Sequence, residues 1–188
     1  MKDIQKFIKN DDFQATPEGV LIHGSILATG RYVHSVNGKD ERIDTNLVPA
    51  EGILHILGVV LKDVTRVTVW YLTIFSGNVS PVSTWTAANF TANATEITST
   101  SEGWTGATRV AWVPGAAAAG VIGNLSSKAV FPIVCTTSVS IAGAGLLSSN
   151  TRGGTSGTLV SASRFGSVRT VYDHDSFELG YEVELQDS

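Results

Sequence analysis

The chain is poor in charge and in cysteine. Lys, Arg, Asp and Glu make up 16% of its 188 residues, against about 25% in an average soluble domain. This shortage indicates that much of the surface is shared with neighbours, although a Ser/Thr-rich exterior would also explain it. Cys135, the single cysteine, excludes an intramolecular disulfide framework and fits synthesis in a reducing compartment. A net charge of −4 gives no basic footprint for nucleic-acid binding.

Long hydrophobic runs are missing as well. The N-terminal residues MKDIQKFIKNDDF lack the apolar region of a signal peptide. The most apolar run, residues 52–61, is far short of the ~20 residues that span a bilayer. We therefore expect neither a nucleic acid nor a membrane among the partners.

The composition changes near Lys62, and this change organises the chain. After Lys62 the sequence is dominated by Val, Thr, Ser, Ala and Gly, and Lys128 is the only remaining lysine. Residues 1–16 are interpreted as an N-terminal arm that orders on a neighbour, because its apolar positions are too few to fold alone. Residues 17–188 are predicted to form a single β-rich domain.

Within that domain we predict a hairpin region at 20–45, a helix at 49–62 and the main sheet at 64–186. Strands are expected at 20–28 and 31–36, and Asn37-Gly38 is a strong turn signal because both positions need positive φ. Pro49 and Glu51 suit a helix start. The apolar positions at helical spacing predict that this helix packs onto the sheet through Leu54, Leu57 and Leu61.

The segment after the helix is typical of an antiparallel β protein. Residues 64–75 are expected to form a strand covered on both faces, because both faces are apolar from Trp70 onward. One helical turn is expected at 83–90, capped by Ser83 or Thr84. The clean alternation of residues 177–185 demands an antiparallel sheet with one wet face. We predict a mainly β fold: an antiparallel two-sheet sandwich, jelly-roll-like, of eight to ten strands with one amphipathic helix.

The sequence suggests no catalytic, cofactor or metal site. The four histidines are far apart, and residues 172–175, Tyr-Asp-His-Asp, fit a polar turn better than a cation site. Arg152 to Gly157 resembles a phosphate loop but lacks the Gly-Lys-Ser/Thr ending and the following helix. Glu96 and Glu102, the only acids between 64 and 170, fall in a segment interpreted as loop.

Aromatic side chains are the candidates for an interface. Trp70 and Trp112 fall in predicted strands and are expected in the core, whereas Trp85 and Trp104 fall in loop-like segments and are expected to be exposed. The arm adds further apolar candidates. The predicted interface set is Phe7, Ile8, Phe13, Trp85 and Trp104.

A series of blocks also carries a family resemblance. In order, they are NLVPAEGILHIL, WYLTIFSG, ATEI, RVAWVPGAAAAGVIGN, AVFPI, IAGAGLLSS and RGGTSGTLVSASRFGSVRTV. From about Asn46 to the C-terminus the chain resembles a family of virion proteins of tailed, podovirus-like bacteriophages, associated with capsid cement or decoration proteins. The arm and the Asn37-Gly38 hairpin match it less clearly.

The resemblance implies a jelly-roll-like domain on the outside of an icosahedral shell, made in the host cytoplasm and located on the virion. The implied partners are the major capsid protein and further copies of the chain, as a dimer or trimer at a symmetry axis. No enzyme activity is implied. The alternative is a tail, fibre or baseplate module in which Trp85 and Trp104 bind host glycan. A depolymerase would need paired carboxylates about 5–9.5 Å apart, and this region is poor in acids.

Overall fold

Two antiparallel sheets form the framework of the protein. The computed structural model describes residues 13–16, 19–22 and 26–187, with side chains described from 28 to 185. The helices are α1 Ala50–Leu61 and α2 Ala87–Ala94. The strands are β1 Phe13–Thr16, β2 Gly19–Ile22, β3 Ile26–Val36, β4 Lys39–Thr45, β5 Trp70–Phe75, β6 Gly103–Trp104, β7 Val110–Trp112, β8 Val121–Gly123, β9 Ala129–Val134, β10 Val139–Leu147, β11 Leu159–Val171 and β12 Ser176–Asp187.

The predicted sandwich architecture is confirmed. One sheet has the order β11-β10-β5-β7 and the other the order β4-β3-β12-β9-β6, with β8 pairing the far end of β12. All the pairings are antiparallel. The strands number twelve rather than eight to ten within the described residues, and a second helix accompanies the predicted one.

The β3–β4 hairpin turns where the sequence predicts. Asn37 and Gly38 have φ values of 52° and 68°, the left-handed conformation that Asn and Gly adopt most readily. The Asn37 side chain also donates a hydrogen bond of 2.7 Å to Asp175. The turn is therefore tied to the loop that precedes β12.

The main core lies between the two sheets. Large side chains of the six-stranded sheet, among them Phe131 and Phe177, meet Leu72, Ile141 and Phe165 of the four-stranded sheet, and all five are at most 1% exposed. The alternation predicted for the last strand is what brings Phe177 and its neighbours in β12 to this face. Burial of this apolar area is the main force that holds the sheets together.

The predicted strand at 64–75 is shorter than expected. β5 begins at Trp70, where its pairing with β7 begins opposite Trp112. Residues 64–69 belong to no strand, because no neighbouring strand offers them backbone partners. From Leu72 to Phe75 every residue is buried, which confirms that this strand is covered on both faces.

Helix α2 covers the face of the four-stranded sheet that points away from the other sheet. It spans Ala87–Ala94, so it begins inside the turn predicted for 83–90 and extends beyond it, and Thr86 and Asn89 form a reciprocal capping box in place of Ser83 or Thr84. Phe90 packs edge-on against Phe75 at 5.9 Å between ring centroids. Gly52 of α1 lies against β11 nearby, so both helices lie on this sheet.

The N-terminal predictions are only partly open to comparison. The strand predicted at 20–28 divides into β2 and the start of β3, and β1 pairs with β2 as a small hairpin from Phe13↔Ile22 to Thr16↔Gly19. Residues 1–12 of the predicted arm, including Phe7 and Ile8, lie outside the described residues, as does the Phe13 side chain. Among the described residues, neither helix has the length and apolarity to cross a bilayer.

Candidate functional site

Helix α1 contacts the sheet through its least bulky side. A Cβ placed on Gly52 would lie 2.8 Å from the Cα of Val160 and 2.9 Å from its carbonyl oxygen, so only glycine allows this close approach. The Glu51 carboxylate accepts hydrogen bonds from the backbone N–H groups of Leu159 (2.6 Å) and Ala87 (2.8 Å). These contacts fix the start of α1 on β11 and beside the start of α2.

The opposite, more apolar side of α1 points to solvent. The prediction that Leu54, Leu57 and Leu61 pack onto the sheet is wrong, because they are 68%, 48% and 77% exposed. The apolar periodicity identified the stripe correctly, but the helix packs on β11 through the other side, where Gly52 lies. We call the exposed stripe the α1 face; it consists of Ile53, Leu54, Ile56, Leu57, Val60, Leu61 and the adjoining Val64.

The α1 face is large for a free surface. Its seven side chains are each 43–77% exposed and together leave on the order of 700 Å² open, more than the ~300–600 Å² of the largest apolar patch on a typical monomer. No charged residue occurs between Glu51 and Lys62. A surface of this size and polarity favours contact with another apolar surface over contact with a polar ligand.

A shallow groove runs along one edge of the α1 face. It is lined by Ile56, Val60, Val67, the half-buried Trp70 and Arg66 among others. His55 also lines the groove, with its ring edge-on to Trp70 at 5.5 Å between centroids. His55 is partly buried there.

A second unusual region is a charged pair in the interior. Glu96 and Arg109 have no exposed side-chain surface and meet through two hydrogen bonds of 2.8 Å. Thr73 (2.7 Å), Thr91 (2.8 Å) and the Gly153 N–H (3.0 Å) also donate to the carboxylate. Burial alone would raise the pKa of Glu96, but the Arg109 guanidinium and the hydroxyl donors outweigh it and lower the pKa.

Arg152 extends this polar interior. Its guanidinium lies 3.4 Å from the centroid of the Trp104 ring, a cation–π contact. The same guanidinium donates to the carbonyls of Ser99 (2.7 Å) and Ile97 (3.2 Å). Through Arg152 the glycine-rich loop is therefore hydrogen-bonded to neighbouring loops, and it is not a phosphate-binding loop.

Sequence reasoning missed these charged residues because it treated Glu96 as a loop position. A signal was nevertheless present, since charges are rare between residues 64 and 170. A rare acid and two arginines in an otherwise weakly charged β segment are good candidates for internal pairing.

The tryptophans are placed in the reverse of the predicted order. Trp85 is 3% exposed and Trp104 is 0% exposed, whereas Trp70 and Trp112 are half-buried at the edge of the core. The expectation that Trp85 and Trp104 are exposed is therefore wrong. Trp85 packs under α2 against Phe75, and Trp104 packs between Phe131 and Arg152, so neither can touch a partner from these positions.

The predicted polar turn at 172–175 is present. Asp175 accepts hydrogen bonds from the Tyr172 N–H and from Asn37, and Asp173 accepts one from the Cys135 N–H. Between residues 13 and 187, the described positions bring no three potential metal-ligating side chains together. Cys135 is buried.

A buried histidine was not singled out by the sequence. His34 has no exposed side-chain surface and its Nε2 lies 2.9 Å from a carboxylate oxygen of Asp44. Its ring stacks on Phe165 at 3.9 Å. Burial lowers the pKa of His34, and the opposing attraction of Asp44 is too weak to reverse this.

Comparison with known proteins shows no family for the chain. No protein-family model matches the chain, and the curated proteins contain no match to it either. The resemblance to phage cement proteins therefore stays a prediction from the residues that carry it.

Proposed function

We propose that the chain is a capsid cement, or decoration, protein of a tailed bacteriophage, which binds the outside of the icosahedral shell and stabilises the mature lattice. The observation that carries the proposal is the α1 face: a large, uncharged, apolar surface on a weakly charged β-sandwich. Such a surface serves association between proteins. The resemblance carried by the sequence blocks from Asn46 onward is the support for a phage shell as the assembly.

The mechanism would be differential binding to one state of the shell. A protein that binds only the expanded lattice shifts the equilibrium toward that lattice by mass action. Many equivalent copies make individually weak contacts effective, provided that neighbouring sites are engaged at the same time. The partners in this proposal are the major capsid protein and further copies of the chain.

A stiff domain suits this role. β12 pairs with β3 over eleven residues, from Phe177↔Val36 to Asp187↔Ile26, and the Glu96–Arg109 pair joins β5 to the loops around it. A domain that bridges shell subunits binds more strongly when its contact surfaces are preorganised, because little free energy is then spent on ordering them.

The adhesin alternative loses its specific support. It depended on Trp85 and Trp104 as an exposed stacking platform, and both are buried. Glu96 and Glu102, the only acids between residues 64 and 170 that could serve a depolymerase, are also engaged: Glu96 pairs with Arg109, and Glu102 accepts hydrogen bonds from Thr136. We therefore propose no second function.

The proposal is tested on purified virions of the phage that encodes the chain. We expect electron microscopy to show density for a β-sandwich on the shell exterior, with a copy number proportional to that of the major capsid protein. Co-sedimentation with expanded shells, but not with unexpanded procapsids, would support the stabilising mechanism. A copy number of a few per virion would instead indicate a tail component and overturn the proposal.

A further inference from the structure

We infer that the α1 face is a contact between two copies of this chain, each helix packing on the same helix of the other copy. This inference rests on the proposed function, to which it adds the surface that joins neighbouring copies. Its test uses the isolated chain, so its failure can be told apart from failure of the cement proposal.

The available area is sufficient for a specific contact. The α1 face exposes on the order of 700 Å², close to the ~800 Å² that each partner contributes to a standard interface. Within the described residues, the other strongly exposed apolar side chains are spread over several segments; Val113, for example, follows β7, and Val130 lies in β9. No other single element there offers a comparable apolar surface.

The spacing of the α1 face suits a helix as its partner. Within α1, Ile53, Leu57 and Val60 follow one another at intervals of four and three residues. This is the spacing by which side chains of one helix fit between those of another. Leu54 and Leu61 flank the row and widen it. A helix pair of only twelve residues each needs such a wide row, because short helices bury little along a single line.

The charge pattern permits a second copy as the partner at this face. Two chains of net charge −4 repel each other wherever like charges meet, and like-charge contacts cost association energy. The α1 face has no charge to match and is therefore complementary to itself. A two-fold axis through its middle would bring identical surfaces together, as isologous contacts require.

A membrane is a poorer occupant for this face. Helices that lie in a lipid interface usually carry Lys or Arg on the side opposite the apolar one. The corresponding side of α1 carries Glu51, Gly52, His55 and Gly58, with no cation, and it packs onto β11 and Trp70.

The first test is the mass of the full chain in solution, measured by sedimentation velocity over a wide concentration range. We expect an oligomer for the wild type and a monomer for Val60→Glu and Leu61→Glu, with affinity reduced about 30-fold or more, as for a hot-spot residue. Both positions are more than 70% exposed, so the monomer fold should survive. The matched control is Val130→Glu on β9, 46% exposed, which should still associate.

A second test traps the contact covalently. Leu57→Cys and Val60→Cys, near the middle of the α1 face, should give a disulfide-linked dimer with oxidised glutathione as the oxidant, because paired Cβ atoms at ~4 Å permit this bond. Val130→Cys is the matched control and should stay monomeric. The native Cys135 is buried and should not react.

Each other outcome overturns the inference. A wild type that is monomeric at all concentrations would do so, as would association that persists in both Glu variants or cross-linking at neither cysteine. A monomer that begins to associate when residues 2–12 are deleted would assign the face to the arm. Binding to phosphatidylcholine vesicles through Val60 would assign it to lipid. If the monomer still bound expanded shells, the cement proposal would stand without this contact.

Discussion

The Glu96–Arg109 pair and the α1 face are opposites in composition and in placement. The pair is fully charged and has no exposed side-chain surface, whereas the α1 face is fully apolar and each of its side chains is at least 43% exposed. The difference shows that the polarity of a side chain does not alone determine whether it is buried in this fold. The groups available to contact it matter as well. Charge is enclosed where hydrogen-bond donors meet both carboxylate oxygens, and apolar surface is exposed where an external partner can cover it.

The energies of the two regions differ in kind. A buried ion pair of this sort adds little net stability compared with apolar residues of similar shape, but removal of one partner is costly. The α1 face adds nothing to the isolated domain until it is covered. Substitutions should therefore affect unfolding in the first region and association in the second.

The largest expected effect is at Glu96. Glu96→Gln should lower the free energy of unfolding by about 3–5 kcal/mol, because it leaves the Arg109 charge buried and uncompensated. Urea denaturation measures this, with Glu102→Gln as the control for a nearby exposed acid. The double variant Glu96→Leu/Arg109→Leu should recover much of the loss, and a loss equal to the sum of the single variants would show that the two groups do not act as a pair.

The Glu96–Arg109 pair also predicts that the free energy of unfolding decreases at acidic pH. Because the folded pKa of Glu96 is lowered, its contribution is complete above the ordinary value of 4.5 and is lost as pH falls toward the folded pKa. The wild type should therefore lose stability more steeply below that value than Glu96→Gln does. Parallel curves for the two proteins would contradict the assignment.

A matched pair of leucines compares the core with the α1 face directly. Leu72→Ala, at a fully buried position, should cost about 2–5 kcal/mol through lost contacts and a cavity. Leu57→Ala, 48% exposed, should change the unfolding free energy by less than about 0.5 kcal/mol at concentrations too low for copies to associate. Similar losses at both positions would show that α1 is packed inward after all.

The sequence predicted α1 well and its orientation badly. The bounds 49–62 match Ala50–Leu61 with Pro49 and Lys62 as caps, because proline and the apolar period act locally. Which side of a helix turns inward depends on what the sheet can accept, and the approach of Gly52 to Val160 is a tertiary fact. Periodicity alone cannot distinguish a face that meets the core from one that meets a partner.

Long-range pairing explains the other differences. Trp104 lies beside Phe131 and Arg152, and Glu96 lies beside Arg109 and Thr73, and these contacts join segments that are distant in sequence. The hairpin at Asn37-Gly38 and the doubly covered β5 were predictable because their signals lie within a few residues. The sequence therefore predicted the apolar stripe of the α1 face but did not predict that this stripe is exposed.

Gly52 tests the docking that leaves the α1 face outside. Gly52→Ala should lower the free energy of unfolding by about 1–3 kcal/mol, as overpacking does, although alanine favours helix by up to about 1 kcal/mol. The reason is that its Cβ would meet backbone atoms of Val160 at 2.8–2.9 Å. Thermal unfolding measures it, with Gly115→Ala, where the nearest atom is 4.0 Å away, as the control. A stabilised Gly52→Ala would show that α1 does not rest on β11.

His34 lies between the two extremes, because its ring is fully buried while the side chain of its partner Asp44 is 16% exposed. Its pKa is lowered in the fold, so the unfolded chain takes up a proton first as pH falls below the ordinary value of 6.5. The native state should then lose at most about 1.4 kcal/mol per pH unit until the folded pKa is reached.

His34→Gln keeps an N–H donor for Asp44 and removes the titration, so its unfolding free energy should be flatter than that of the wild type below pH 6.5. Urea denaturation at a series of pH values measures this slope. His174→Gln is the control. This variant should leave the slope unchanged, because the His174 side chain is 92% exposed. A wild-type slope that survives in His34→Gln would show that another group produces it and would contradict the assignment to His34.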